Sequence, residues 1–267
     1  MYYYIFEQPN SVHERANFEK IRDIAREFSI QGENAQASPA RSPEELVQIA
    51  IEKNYTTIVA VGDDSHVNKI VSAIINAKAL YTVALGIISS DPNSILYERW
   101  GFKSAEEACE TLKFRKLEKF TLGLVEPNHY FLSSARIECP NPTRIVLEVD
   151  HWKAEAIIDR LEISNNLYIL LERYLQEKSI FKSAFNWLTG KEQSSADRSI
   201  FKGKIIKIKS DNPLPILIGN EVVSKTPANV YRKISALNII CKRDKVLAES
   251  AKVTEQVEKK ENFWEQK

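Results

Sequence analysis

The hydrophobic pattern of the chain changes its period between residues 56 and 76. Ile58–Val61 is an uninterrupted apolar run, which is typical of a buried strand. From Val67 onwards, apolar residues recur at helical spacing and form one stripe. The polar residues in between are Gly62, Asp63, Asp64 and Ser65. A strand that leads into a helix through such a turn directs backbone N–H groups at one point, where α/β proteins tend to hold phosphate. A strand–turn–helix without a ligand has the same pattern.

The rest of the first half of the chain alternates between strand and helix patterns. Strands are predicted at Tyr2–Phe6 and Tyr81–Ile88, with a shorter one around Ala35–Ala37. Helices are predicted at residues 16–28, 43–51 and 104–112. The second helix has a clear start, because Ser42 and Glu45 have the spacing of a capping box. This alternation favours a mostly parallel sheet that is covered by helices.

After Phe114 the pattern changes to short apolar runs that are separated by turn residues. Such runs are typical of antiparallel strands. They are Lys119–Leu124, Tyr130–Ile137, Arg144–Val149, Leu161–Ile163, Lys204–Lys209, Leu214–Ile218 and Leu237–Cys241. Residues 167–187 have a helical pattern, and a polar loop is predicted at residues 189–199.

The predicted fold class is therefore α/β in the first half and β-rich in the second. We expect a doubly wound, mostly parallel sheet in a domain at residues 1–114. An antiparallel, sandwich-like domain is predicted at residues 115–243, and a charged tail at 244–267.

Composition excludes several classes of protein. The formal net charge of +1 gives no electrostatic basis for nucleic-acid binding. No apolar run reaches the roughly 18 residues that a transmembrane helix needs. The first residues do not have the pattern of a secretory leader. The three cysteines, Cys109, Cys139 and Cys241, are too far apart in sequence to indicate a disulfide framework or a metal cluster. The sequence predicts a cytoplasmic protein.

Four short motifs, in this order and spacing, resemble those of one enzyme family. Gly62–Lys69 reads GDDSHVNK, where the family has Gly-Gly-Asp-Gly-Thr-Val-Asn-Glu after a buried strand. Ser89–Glu98 follows Leu-Gly-Ile-Ile, as does the family's Pro-Leu-Gly-Thr-Gly-Asn-Asp-Phe-Ala-Arg. Tyr130–Ala135 reads YFLSSA, and Leu214–Glu221 corresponds to a Leu-Pro and Asp-Gly-Glu hairpin. On these residues the chain resembles the diacylglycerol kinase catalytic family of bacterial lipid kinases, which are related to NAD kinases and sphingosine kinases. It is a divergent member by this comparison.

The chain departs from the family at several motif positions. Asp63 stands where the family has a glycine, so a negative charge would lie where backbone normally approaches phosphate. Ser65 replaces the last glycine, and His66 replaces a threonine. The second motif loses its glycines, asparagine and aspartate. Gly219 stands where the family has the aspartate that is usually assigned as the general base.

The resemblance implies ATP-dependent phosphorylation of a lipid hydroxyl, such as that of diacylglycerol, with ATP and Mg²⁺ as cofactors. It assigns catalytic roles to Asp64 and, if burial raises its pKa, to Glu221 as a general base. The residues it assigns to nucleotide binding are Gly62, Asp63, Asp64, Ser65, His66, Asn68, Ser89, Ser90 and Asn93. No residue is assigned as a metal ligand. The lipid would be met at the membrane surface, at its inner face, and a homodimer is left open.

Simpler roles exist for the same residues. Asp64 is equally well explained as the N-cap of the helix that starts near His66, and His66 is expected to be an exposed turn histidine. Asn68 fits packing of the helix start as well as ligand contact, and a solvent-exposed Glu221 is expected more often than a buried one. The alternative function is therefore a catalytically inactive relative that keeps the fold to bind lipid, nucleotide or a protein partner. NAD kinase chemistry ranks below both.

Overall fold

The computed structural model describes residues 1–91, 94–174 and 196–242. The chain divides into two units, one made of Met1–Phe120 with Leu237–Lys267 and the other of Thr121–Ala236. The charged tail predicted at 244–267 lies outside the described residues. No helix among the described residues is long and apolar enough to cross a membrane.

The first unit is built on a parallel sheet. Its strands are β1 (Tyr2–Phe6), β2 (Glu33–Gln36), β3 (Thr57–Gly62) and β4 (Ala84–Ser89). Its helices are α1 (Val12–Glu27), α2 (Pro43–Glu52), α3 (Asp64–Asn76), α4 (Ile95–Trp100) and α5 (Ala105–Phe114). The strand order is β4-β3-β1-β2, and every one of these pairs is parallel. The end of a later strand, β14 (Ala228–Ile240), adds to this sheet in parallel beside β4.

Local sequence explains these elements well. All six residues of β3 and all six of β4 are buried, as expected for strands covered on both faces. The capping box at α2 is present, because Ser42 Oγ accepts a hydrogen bond from the Glu45 N–H and the Glu45 carboxylate accepts one from the Ser42 N–H.

The second unit is antiparallel. Its elements are the end of β5 (Leu117–Val125), then β6 (His129–Phe131), β7 (Ser134–Val149), β8 (Trp152–Ser164), β9 (Tyr168–Tyr174), β10 (Ala196–Lys202), β11 (Ile205–Ser210), β12 (Pro215–Ile218), β13 (Glu221–Lys225) and the start of β14. The strand order is β10-β9-β8-β7-β11-β14, and its core consists of inward-facing aliphatic residues. With the parallel first unit, this confirms the predicted fold class.

Two predictions in the second unit are wrong. The first part of the predicted helix at residues 167–187 is strand β9, which pairs with β8 and β10. Ile169 and Leu171 lie in the buried core with the partly exposed Leu170 between them, and this period of two was read as helical. The end of the predicted loop at residues 189–199 belongs to β10. The remaining residues of both predictions lie outside the described part of the chain.

Gly123 tests the packing of the second unit. It pairs with Phe131 across β5 and β6, and a Cβ atom at residue 123 would lie 2.0 Å from the Phe131 ring. Phe131 is fully buried, so its ring has little room to move. We expect Gly123→Ala to lower the free energy of unfolding by about 1–3 kcal/mol in urea titrations. The double variant Gly123→Ala/Phe131→Leu should recover part of this loss, and an unchanged midpoint for Gly123→Ala would contradict this packing.

Candidate functional site

The strand order of the first unit locates its candidate site. The chain winds in one direction from β1 to β2 and in the other from β1 through β3 to β4, so the direction of winding changes between β1 and β3. In open α/β sheets, ligands bind outside the carboxyl ends of the strands at this point. Here β1 ends at Phe6, which pairs with Val61, and the Glu7 N–H donates to the Val61 carbonyl oxygen at 2.8 Å. Glu7 is therefore next to the turn that follows β3.

Glu7 places its carboxylate on the backbone of that turn. Its Oε2 accepts a hydrogen bond from the Asp63 N–H at 2.9 Å. A Cβ atom at Gly62 would lie 2.8 Å from the same oxygen and 2.8 Å from the His66 ring, so residue 62 has to be glycine to accommodate both side chains. Burial raises the pKa of Glu7 to about 7, against the opposing effect of the Asp63 N–H.

Asp63 is the N-cap of α3. Its extended backbone lets Oδ1 accept a hydrogen bond from the His66 N–H at 2.7 Å. The expected alternative role for Asp64, as the cap of this helix, is therefore wrong, because its neighbour has that role. A carboxylate at this position is also stabilised by the positive end of the helix.

Asp64 instead holds the start of α4. Its Oδ1 accepts a hydrogen bond from Ser94 Oγ at 2.5 Å, and its Oδ2 accepts one from the Ile95 N–H at 3.0 Å. Burial raises the pKa of Asp64, although these hydrogen bonds oppose the shift. Both carboxylate oxygens are thus engaged within the chain.

His66 is buried, which corrects the expectation of an exposed turn histidine. Its side chain is only 3% exposed, and its Nε2 lies 3.0 Å from the Ile5 carbonyl oxygen, to which it donates. Burial lowers the pKa of His66, so the imidazole is held in its neutral form. Asn68 is buried as well, and its amide donates to the Asp64 carbonyl oxygen at 2.7 Å. Both side chains support the start of α3 from within the protein.

The segment after β4 is held by a hydrogen bond within the segment and by another to the end of β3. Ser89 Oγ accepts a hydrogen bond from the Asp91 N–H at 3.1 Å, and the Ser90 N–H donates to the Gly62 carbonyl oxygen at 3.0 Å. Ser65 has a polar partner too. Asn93, which was predicted to contact nucleotide, lies outside the described residues.

The predicted general base is exposed. Glu221 is the first residue of β13 in the second unit, so the burial that this role requires is absent. It follows a two-residue hairpin turn in which Gly219 has a φ of 61°, as expected for the first residue of a type II′ turn. Glycine suits this backbone, whereas the family's aspartate would be strained in it.

These contacts allow a test of whether ATP and Mg²⁺ fit the turn. The N–H groups of Asp63 and His66, and that of Ile95 at α4, already donate to carboxylates of the chain itself. A triphosphate would compete with those carboxylates and be repelled by them. No group of three or more His, Cys, Asp or Glu side chains in the described ranges has the geometry to hold a metal ion. A magnesium-bound triphosphate at this turn would therefore have to displace carboxylates of the chain from the N–H groups of Asp63, His66 and Ile95.

Sequence reasoning missed Glu7 as a site residue. The sequence shows that a carboxylate directly follows a buried strand, and this pattern could have drawn attention to Glu7. It does not show that Glu7 contacts Asp63, which is 56 positions away.

The architecture, a parallel α/β unit and an antiparallel β-rich unit, is a fold shared with solved structures that are named as diacylglycerol kinases. The chain matches a presumed diacylglycerol kinase from Bacillus anthracis with a TM-score of 0.69 and 14% identity, over 90% of this chain and 96% of that one. A second diacylglycerol kinase structure from that organism gives a TM-score of 0.64 at 14% identity, over 90% and 96% of the chains. A yeast NADH kinase complexed with NADH is more distant, with a TM-score of 0.43, 10% identity and coverage of 92% and 84%.

By sequence, no protein-family model matches the chain and no curated protein matches it. The resemblance to diacylglycerol kinases is thus confirmed at the level of the fold, for a divergent chain. Activity and substrate do not follow from it.

The raised pKa of Glu7 predicts how stability depends on pH. Because folded Glu7 titrates near pH 7 and the ordinary value is 4.5, the folded state holds this proton more tightly than the unfolded state. The stability that protonated Glu7 contributes is fully present below about pH 4.5 and is lost as the pH rises through about 7. Glu7→Gln keeps an acceptor for the Asp63 N–H without the charge. We expect it to raise the free energy of unfolding at pH 8 by about 1–2 kcal/mol, allowing for solvent screening of a half-buried group.

Urea unfolding at pH 5 and pH 8 measures this difference. The gain from Glu7→Gln should shrink strongly at pH 5, and Glu27→Gln, an exposed residue at the end of α1, should change neither value. An equal gain at both pH values would show that the Glu7 charge is not the cause.

Proposed function

We propose that this protein is a non-catalytic member of the diacylglycerol kinase fold, and that it binds a diacylglycerol-like lipid without phosphorylating it. The observation that carries the proposal is the hydrogen bond from the Asp63 N–H to the Glu7 carboxylate. An internal carboxylate takes the position where a phosphate would accept from the turn. The chain thereby supplies an internal acceptor for this N–H group of the turn.

Two further observations support the loss of phosphotransfer. The carboxylate that the fold would use as general base is missing at Gly219, and Glu221 nearby is exposed. Asp64 is the first residue to which the sequence assigns a catalytic role. Both of its carboxylate oxygens accept hydrogen bonds from the start of α4, so the side chain joins α3 to α4. The kinase reaction with ATP and Mg²⁺ would need these internal bonds to break first.

The lipid part of the proposal rests on the fold neighbours, which are named as diacylglycerol kinases. A cytoplasmic location with peripheral attachment to the membrane accords with such a ligand. The homodimer stays a hypothesis without a supporting observation.

Calorimetry with the full chain tests the nucleotide part. Titration with ATP, with and without Mg²⁺, should give no binding heat at millimolar nucleotide, since the N–H groups of Asp63, His66 and Ile95 already donate to carboxylates of the chain. Incubation with labelled ATP and a short-chain, water-soluble diacylglycerol should give no phosphorylated lipid, whereas titration with that lipid alone should give a binding heat.

A kinase would give the opposite result. Phosphatidic acid formation that disappears in Asp64→Asn, but survives in Asp23→Asn on the exposed surface of α1, would overturn the non-catalytic proposal. Absence of any heat with the diacylglycerol would overturn the lipid part alone.

A further inference from the structure

Two turns of the second unit meet at one end of its sheet. The first is the two-residue turn between β7 and β8, and the second is the short link between β10 and β11. Asp150 joins them, because its Oδ1 accepts hydrogen bonds from the N–H groups of Lys204 at 3.0 Å and Ile205 at 2.9 Å. Its own N–H donates to the Ile205 carbonyl oxygen at 3.1 Å. We call the set His151, Trp152, Lys202, Lys204 and Ile205 the basic tip.

The tip is held rigidly. Only Gly203 and Lys204 separate β10 from β11, although three strands lie between them in the pairing order, so the sheet must curl to bring these ends together. Gly203 is packed so closely that a Cβ atom there would lie 2.4 Å from a Val149 methyl group, and its N–H donates to the Leu167 carbonyl oxygen. A surface fixed in this way needs little ordering when it binds a partner.

Apolar side chains at the tip reach solvent. Trp152 pairs with buried Val149 and its ring contacts Phe201 at 5.2 Å between centroids, so the two aromatic rings close this end of the sheet. Trp152 nevertheless remains 37% exposed, and Ile205 beside the second turn is 51% exposed. An indole with one side packed against apolar residues and the other exposed to solvent is typical of residues at a membrane interface.

The charge around these side chains is positive. Lys202 and Lys204 are exposed and have no ion-pair partner among the residues that the structure describes. The Lys202 ammonium lies 4.8 Å from the centre of the Tyr168 ring. The Asp150 carboxylate accepts the two backbone N–H groups and also interacts electrostatically with Lys204 and His151, so it offsets part of this positive charge. Lys153 is neutralised by Glu155 at 3.3 Å.

We propose that the basic tip docks the protein on an anionic lipid bilayer, with Trp152 and Ile205 entering the headgroup region and Lys202 and Lys204 contacting anionic headgroups. Lysine side chains can lie along the apolar surface and keep the ammonium at the headgroups. The two unpaired lysines complement a negative surface. This docking is independent of whether the protein binds or phosphorylates diacylglycerol.

Flotation of the full chain with vesicles tests the proposal. Vesicles of phosphatidylcholine with about one third phosphatidylglycerol should bind the protein, and pure phosphatidylcholine vesicles should bind it much more weakly. Lys202→Gln/Lys204→Gln should reduce the partition coefficient about 25-fold, because each lysine contributes about fivefold near such a surface. Lys119→Gln/Lys225→Gln removes the same charge from exposed positions outside the tip and should leave binding unchanged.

Tryptophan fluorescence provides a second readout. Binding to the anionic vesicles should shift the emission to shorter wavelength, and Trp152→Phe should abolish the shift while the other tryptophans remain. Equal losses in both lysine pairs, or a shift that persists in Trp152→Phe, would overturn the proposal. So would binding to a single-stranded oligonucleotide that exceeds binding to the vesicles and depends on the same two lysines.

Discussion

Backbone N–H groups at the carboxyl end of a parallel sheet need an acceptor, and at this sheet three of them donate to carboxylates. The Asp63 N–H donates to Glu7, the His66 N–H to Asp63, and the Ile95 N–H to Asp64. In phosphate-binding α/β proteins the ligand fulfils this role at a helix N-terminus. Here the protein does so itself, and these bonds join the end of β1 to the start of α3 and the start of α3 to the start of α4.

The substitutions in the turn are consistent with one another. The Glu7 carboxylate fits only because Gly62 has no side chain. The His66 ring also occupies the space that a Cβ atom at residue 62 would fill. His66 in turn is fixed by its hydrogen bond to Ile5. Each change from the phosphate-binding motif thus gives the turn an internal partner in place of an external one. A merely degenerate motif would leave buried donors without acceptors, which is costly.

The sequence predicted those features that local pattern controls. The buried run of β3, the capping box of α2 and the change from parallel to antiparallel strands were all readable from spacing. The strand Tyr168–Tyr174 was not, because a short stretch of apolar and charged residues fits either period. The strand–turn–helix at Gly62 was also readable, but the partners of its residues come from segments distant in sequence, such as Ile5 and Glu7. Only the pairing of β1 with β3 brings them together.

Backbone amide resonances of Asp63, His66 and Ile95 test this account most directly. In ¹H–¹⁵N spectra of the labelled protein, a titration with inorganic phosphate and then with ATP and Mg²⁺ should leave all three resonances in place and protected from hydrogen exchange, because their acceptors are internal. Saturable shifts of these amides with ATP, together with loss of their protection, would contradict the account and identify the turn as a nucleotide site.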